Sequence, residues 1–457
     1  MIGGEARGRG PDQGWVRATI PLAKKLAALM VAALLMAGCT GGPSGADSDH
    51  GRPEGTESAA ESAGPDALTG TEDRGTEGSG AAGEAPPSSS TTGPVPEVTA
   101  GAGPDCPGKR CATVAMTGDL LLHEALWEQA AADARRTGKR GLDFEPILAA
   151  QQRYLDTADL AICQLETPLA EEGGPYSGYP VFNAPPQILD AATAVGYDAC
   201  TTASNHTFDY GSAGLERTLA SLDARGLAHT GSYRSEAESG DVLILDTPAA
   251  RVAVITGAFS LNGLVPDAPW QVDMLDPQVM IAKAKQARAD GAEIVLGAIH
   301  AGDEYTDYAN PHQQQMAHAL ADSGEFSLIY GHHSHSVQPM ERYNGSWIVY
   351  GLGNTIAAHA TPNILNTEGL MVRAQFAQHD DGGSWEVARL DWLPATFAGP
   401  EHRWCPVSAD ALEAAAESGE WCVSEAADAD SRDRTKATIE SMGAAGDVAR
   451  EWLLGDE

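Results

Sequence analysis

Short apolar runs alternate with amphipathic stretches along the chain from residue 111 to about residue 354. Runs at 112–116, 160–165, 199–203, 252–256, 293–299, 326–330 and 347–350 are rich in Ala, Val, Ile and Leu. They are too short for helices and read as strands buried on both faces. Residues 143–157, 186–195, 215–225, 277–290 and 312–323 have helical texture instead, and 215–225 closes near Gly226. Strands alternating with helices predict an α/β domain with largely parallel pairing. After about Pro400 the chain turns rich in Ala, Glu and Asp, with helical stretches at 409–418 and 434–454. That part reads as a helical extension.

A second pattern rides on the first. Metal-competent side chains stand just past the ends of successive strand-like runs: Asp119, Glu166, Asn205-His206, His300, and His333 with His335. Parallel strands bring their carboxyl ends to one edge, so these residues are expected to converge. Six of the thirteen histidines fall between His300 and His335, three of them in Gly331-His332-His333-Ser334-His335.

The residues before 111 have neither pattern. Arg7, Arg9, Arg17, Lys24 and Lys25 form a basic flank to an apolar run, 26–36, that ends in Met36-Ala37-Gly38-Cys39. The run falls short of the roughly 20 residues a membrane span needs. It reads as a secretory signal, and it resembles a bacterial lipoprotein signal in which Cys39 carries the lipid, with Met36 where Leu is usual. The expectation is an exported lipoprotein of the cell membrane, facing away from the cytoplasm. Residues 40–108 are Gly, Ser, Pro, Thr and Glu with almost no aromatics, a composition that cannot bury enough surface to order itself. They are expected to form a flexible acidic tether, giving the division 1–39 signal, 40–108 linker, 109–399 domain and 400–457 extension.

Charge narrows the partners. The formal net charge is -35, from 29 basic and 64 acidic residues, which excludes nucleic acid because phosphate contacts need clustered Lys and Arg. Of the seven cysteines, Cys39 leaves an even six: Cys106, Cys111, Cys163, Cys200, Cys405 and Cys422. An even set in an exported protein suggests disulfides, and proximity favours Cys106–Cys111, Cys163–Cys200 and Cys405–Cys422 among the fifteen possible pairings. Cys163 and Cys200 lie in apolar runs and fit buried thiols equally well.

The chemistry rests on conjunction. Gly118-Asp119 alone is a common turn, Glu166 alone a loop carboxylate, and His300 alone a strand-end histidine. Together, Asp, Glu, Asn, His and His-x-His make a mixed N/O donor set suited to a divalent transition metal such as Mn, Zn or Fe. His333 and His335, two apart on an extended segment, are expected to face the same side. Glu304 fits a general base or substrate contact, and Asp209 either orients His206 by a hydrogen bond or caps the turn before Gly211.

In order along the chain, Met116-Thr117-Gly118-Asp119, Leu165-Glu166-Thr167, Ser204-Asn205-His206-Thr207-Phe208-Asp209-Tyr210-Gly211, His300-Ala301-Gly302-Asp303-Glu304, Gly331-His332-His333-Ser334-His335 and Tyr350-Gly351-Leu352-Gly353-Asn354 resemble the metallophosphoesterase (calcineurin-like) superfamily. More closely they resemble the CapA family of capsule and poly-gamma-glutamate biosynthesis. The resemblance implies a four-layer α/β/β/α sandwich of two mixed sheets with the metal site at the strand ends. It implies metal-site roles for Asp119, Glu166, Asn205, His300, His333 and His335, and makes His206 the substrate-facing acid or charge stabiliser. Asn354 is expected to be structural and His332 to support or pack.

The chain departs from the superfamily's Asp-x-His, with Leu120-Leu121 after Asp119, and His123 is the candidate replacement. Glu166 stands for a bridging Asp, Ala301 for an expected Trp, Gln164 for an Asn and Thr355 for a Phe. Three readings follow. The chain is a hydrolase or transferase of a surface-polymer system acting on an anionic polymer or phosphoester, with a membrane synthase as partner. It is otherwise a metal-assisted polymer-binding and export partner without turnover, or a general exported phosphoesterase.

Overall fold

A computed structural model describes residues 103–454, apart from 362, 381, 445 and 447. The expected signal, Cys39 and most of the expected linker lie outside the described residues. The strands of the first half are β1 (Arg110–Leu120), β2 (Leu160–Leu165), β3 (Ala199–Thr201), β4 (Ala228–Thr230), β5 (Leu243–Asp246), β6 (Arg251–Ala258) and β7 (Ile294–His300). There follow β8 (Leu328–His332), β9 (Met340–Tyr343), β10 (Ser346–Val349), β11 (Asn354–Ile356), β12 (Glu368–Gln378), β13 (Glu386–Thr396), β14 (Cys405–Pro406) and β15 (Ala449–Glu451). The helices are α1 (Glu124–Thr137), α2 (Glu145–Leu148), α3 (Gln152–Leu155), α4 (Ile188–Val195) and α5 (Gly211–Ala224). The rest are α6 (Glu236–Ser239), α7 (Pro277–Ala289), α8 (Pro311–Asp322), α9 (Ala409–Ser418) and α10 (Glu425–Glu440).

The strands form two mixed sheets. One runs β14-β13-β12-β1-β2-β3-β4, with β11 beside β1 and β15 beside β13; the other runs β5-β6-β7-β8-β10-β9. The expected parallel pairing holds for β1-β2-β3-β4 and β6-β7-β8-β10, while β12 and β13 join antiparallel. Side-chain alternation sorts β1 between two cores. Ala112, Val114 and Met116 enter a core shared with Val252, Leu296 and Leu328 of the other sheet. Ala115 and Leu120 face α1, α4 and α5 on the outer side. A third core packs Ile255, Val295 and Ile329 under α7 and α8. These three cores separate four layers, α/β/β/α.

Several elements differ from the sequence expectation. α1 was not anticipated, nor were β12 and β13. Both long strands carry charge in their interior, where Arg373 donates to Asp391 at 2.8 and 3.1 Å with both side chains fully buried. Residues 143–157 break into α2, a 3-10 turn and α3, and the turn places Gln151 where it accepts from Tyr197 at 2.8 Å. The 434–454 helix ends early. α10 stops at Glu440, Gly443 adopts φ 85°, and β15 then pairs parallel with β13. Trp452 is fully buried, with its ring 5.4 Å from Tyr154 and the Arg373 guanidinium 4.2 Å above it. The C-terminal part therefore has the two helices but is also stitched into the sheet. Disulfides join Cys106 to Cys111, Cys163 to Cys200 and Cys405 to Cys422.

Two motif glycines are set by backbone approach. A Cβ on Gly118 would lie 2.2 Å from the Gly353 carbonyl oxygen, and one on Gly331 would lie 2.0 Å from that of Tyr350. Both distances are inside van der Waals contact, against backbone that cannot turn aside. Gly331→Ala is therefore expected to destabilise the fold by about 3 kcal/mol. Gly173→Ala, whose Cβ meets open space, should move stability by no more than about 0.5 kcal/mol. Urea denaturation of both variants checks the contrast.

Candidate metal centre

β1 changes neighbour at the residue that matters. It pairs with β12 as far as Thr117 and with β11 from Asp119, opposite Asn354, with a register shift toward β2 in between. Such an irregularity bends the strand and re-aims the next side chain. Asp119 consequently points into the edge where the strand ends of the two sheets meet, fully buried. Its Oδ2 accepts from the His333 backbone N–H at 3.1 Å and lies 3.4 Å from His335 Nδ1, while Oδ1 lies 2.8 Å from His332 Nδ1. Burial pushes this carboxyl up, but the imidazoles of His332 and His335 outweigh it and hold it well below the usual carboxylate range.

Glu166 follows β2 and is also fully buried. Its Oε1 lies 3.7 Å from His335 Nε2 and 3.9 Å from His300 Nε2, and neither of its oxygens accepts a hydrogen bond. Burial, with the Asp119, Glu304 and Asp209 carboxylates around it, pushes the Glu166 carboxyl well above its ordinary value, against the pull of His335. His300 closes β7 and bonds through Nε2 to Asn205 Oδ1 at 2.8 Å. Burial and the neighbouring His333 hold its imidazole well below the ordinary value, so it stands neutral with a lone pair to offer.

The loop after β8 is not the extended segment the spacing suggested. His333 and His335 both take left-handed backbone, at φ 83° and 52°, and their rings sit 6.1 Å apart facing different neighbours. His333 stands 5.0 Å from His300 and 4.7 Å from Phe259; His335 turns toward Tyr305 and His359. Of the six described non-glycine residues with positive φ, four (Asn262, Tyr305, His333 and His335) lie at this site. Strain of this kind persists where surrounding bonds fix it. Here Tyr305 N donates to Ser334 O at 2.7 Å, and Asn354 Oδ1 meets His335 Nδ1 at 3.0 Å. Burial lowers His335, but Glu166 and Asp119 more than compensate and raise it to about 9. Burial and His335 bring His333 down to about 3.

The donor set fits a cation. Both Glu166 oxygens, His332 Nε2 and His333 Nδ1 are buried without a hydrogen-bond partner, while Asp119 Oδ1 has only the His332 imidazole against it. Buried polar atoms are ordinarily satisfied, and the unpartnered Glu166 oxygens and His333 Nδ1 belong to residues whose ligand atoms a cation would satisfy. Two groups of ligand atoms lie within 4.8 Å of one another: Asp119, Glu166 and His335, and Glu304, His333 and His335. They share His335, which places two adjacent positions around one imidazole. The N/O mixture suits Mn, Zn or Fe.

A cleft of about 350 Å³ opens above these residues. His206 lines it, and its Nδ1 pairs with Asp209 Oδ2 at 2.8 Å, leaving Nε2 as the ring atom able to exchange a proton there. Asp209 also accepts from the Phe182 backbone N–H at 2.8 Å. All nine side chains expected at the site meet at this edge. His123 lines the cleft but belongs to neither ligand group; its Nδ1 accepts from Ala358 N at 3.2 Å, and burial lowers it to about 4. Sequence reading missed His359, whose ring stands 4.6 Å from His123 and 5.1 Å from His335, and Asn262, 3.5 Å from His206 Nδ1. Neither sits in a strand-end motif. Asn354, read as structural, holds His335 at 3.0 Å; the signal was its place in the Tyr350–Asn354 motif. His332, read as a supporting residue, sets Nδ1 2.8 Å from Asp119 Oδ1 and leaves Nε2 without a partner.

Known proteins resemble this chain over the same region. The capsule biosynthesis protein CapA of Bacillus anthracis is 26% identical over 254 residues, 53% of this chain and 59% of that protein. The PGA biosynthesis protein CapA of Bacillus subtilis is 29% identical over 223 residues, 48% of this chain and 55% of that one. The chain thus spans a little over half the length of these relatives. Among solved structures, the calcineurin-like phosphoesterase YfkN from Bacillus subtilis aligns with 73% of this chain and 99% of its own at 16% identity and a TM-score of 0.38. The family model for the bacterial capsule synthesis protein PGA_cap matches residues 113–359, a span that holds every ligand candidate and the whole of the cleft, and the chain belongs to that family.

Proposed function

We propose that this chain is an exported, lipid-anchored protein that uses a divalent metal centre in the production of an anionic surface polymer of the poly-gamma-glutamate kind. The observation that carries the metal reading is the pair of ligand groups that share His335, with both Glu166 oxygens buried and unpartnered among them. The polymer reading is supported by family membership and by the relatives named for capsule and PGA biosynthesis. The exported location is supported by the leader ending at Cys39 and by an even set of paired cysteines. A membrane synthase is the natural partner for a tethered domain of this kind.

Asp119, Glu166, His300, His333, His335 and Glu304 would hold the metal. When bound, it supplies Lewis-acid charge stabilisation at a carbonyl or phosphoryl oxygen. The chain's own groups do the rest. Asp209 fixes the His206 ring so that Nε2 can give or take a proton in the cleft. Asn205 and Asn354 orient His300 and His335. Phe182, 4.7 Å from the His206 ring, keeps water from its flank. The reaction class is hydrolysis or transfer at an amide, ester or phosphoester. A second reading, metal-assisted binding without turnover, is favoured by Leu121, which stands where the superfamily has a histidine ligand and is not replaced by His123.

Four measurements test this. The purified full chain should carry at least one Mn, Zn or Fe by elemental analysis, and His333→Ala/His335→Ala should abolish it; a folded double variant that keeps its metal overturns the site. Turnover of nitrophenyl phosphate by the loaded chain separates catalysis from binding. Glu166→Gln removes a buried carboxylate without a partner, so the metal-free variant should be at least as stable as the metal-free parent. Added Mn²⁺ at about 100 times its Kd should stabilise the parent by about 2.7 kcal/mol and the variant far less. Mass spectrometry of the mature N-terminus should find a lipid on Cys39; an unmodified first residue rejects the anchor.

A further inference from the structure

The floor and the mouth of the cleft differ in chemistry. The floor is the metal centre, and among the described residues lining the cleft there is no Lys or Arg. Glu304 and Asp209 lie in the lining instead. A polyanion entering lengthwise would meet no Lys or Arg above the floor among the described lining residues, on a chain whose net charge is -35.

The mouth is apolar. Tyr179 is 76% exposed, Val181 47%, Leu264 45% and its neighbour Val265 82%. Large apolar side chains grouped around a concave site mark a binding surface. These come from two loops, one between β2 and α4 and the other between β6 and α7, and both are braced. Ser177 and Asn183 exchange backbone bonds at 3.1 and 2.9 Å, Asn183 Nδ2 donates to Pro175 O at 2.8 Å, and Leu264 N donates to Leu261 O at 2.8 Å. An apolar path leads inward from them. Tyr179 stands 6.4 Å from Phe182, itself buried, and Phe182 stands 4.7 Å from His206. Pre-formed pockets of this kind take an apolar body and fix it with a few polar groups.

We propose that the cleft takes an oxyanion joined to an apolar body, as in the phosphate of an apolar alcohol. The anion sits at the metal centre, and the body lies along Phe182, Tyr179 and Val181 with Leu264 opposite. This rests on the metal-centre reading and names its ligand class: the polymer system presents an amphiphilic end to this site, not a bare polyanion.

The test uses the full chain supplied with Mn²⁺ and two non-hydrolysable probes, methylphosphonate and hexylphosphonate, with binding measured by calorimetry. Hexylphosphonate is expected to bind at least tenfold more tightly. Tyr179→Ser/Leu264→Ser should bring the ratio of the two affinities close to one. Equal affinities in the parent overturn the proposal while leaving the metal centre standing. Binding of neither phosphonate overturns the proposal as well, and the metal content of the same chain then decides separately whether the metal-centre reading stands. Displacement of hexylphosphonate by a glutamate hexamer at comparable concentration overturns the proposal in favour of a polyanion groove. A rim that serves another copy of the chain would show as a dimer dispersed by the double variant with the ratio unchanged, which also overturns it.

Discussion

Two carboxylates buried at the junction of two sheets, with no lysine or arginine among the described residues to answer them, are the constraint on which this structure turns. Asp119 is held charged by imidazoles, and Glu166 is left with none of its oxygens bonded. An ionised carboxylate removed from water costs several kcal/mol unless a counter-charge is close. His335 supplies one when protonated, and a divalent cation supplies more. The histidine cluster, the switch of β1 from β12 to β11, and the tight crossings at Gly118 and Gly331 all serve to hold donors around that charge deficit.

The left-handed histidines follow from the same demand. A strand running straight on from β8 would alternate its side chains across the two faces of the sheet. By turning at His333 and again at His335, the loop puts one ring beside His300 and the other between Asp119 and Glu166. The cost of each unusual φ, about 1–3 kcal/mol, is offset by bonds that leave the loop little choice. Asp119 takes the His333 N–H, Tyr305 donates to Ser334, and Asn354 meets His335. The site is therefore pre-formed.

Legibility in the sequence tracked how local the cause was. Strand ends such as Glu166 and His300 were readable because an apolar run names its own terminus. Convergence of those ends followed from parallel pairing. β12 and β13 were hidden because Arg373 and Asp391 look like surface charge until each is seen to neutralise the other across the ladder. Trp452 and β15 were hidden because their burial depends on Tyr154 and β13, far away in sequence. The bend at His333 was misread for a related reason. It is imposed by Asp119 and Asn354, contacts with no trace in the local pattern. His359 and Asn262 belong to the same class, placed by long-range packing alone.

Charge then divides the labour within the cleft. A strongly acidic chain repels an acidic polymer at every point except where it concentrates positive charge, and the proposed metal floor would be that point. Affinity at the mouth must come from something other than charge, and the exposed side chains there are tyrosine, leucine and valine. Recognition by apolar contact above and by metal below suits a ligand with one anionic end. The apolar lip and the buried carboxylates then act along one line: the first would orient the ligand, and the second gather the donors that face its anionic end.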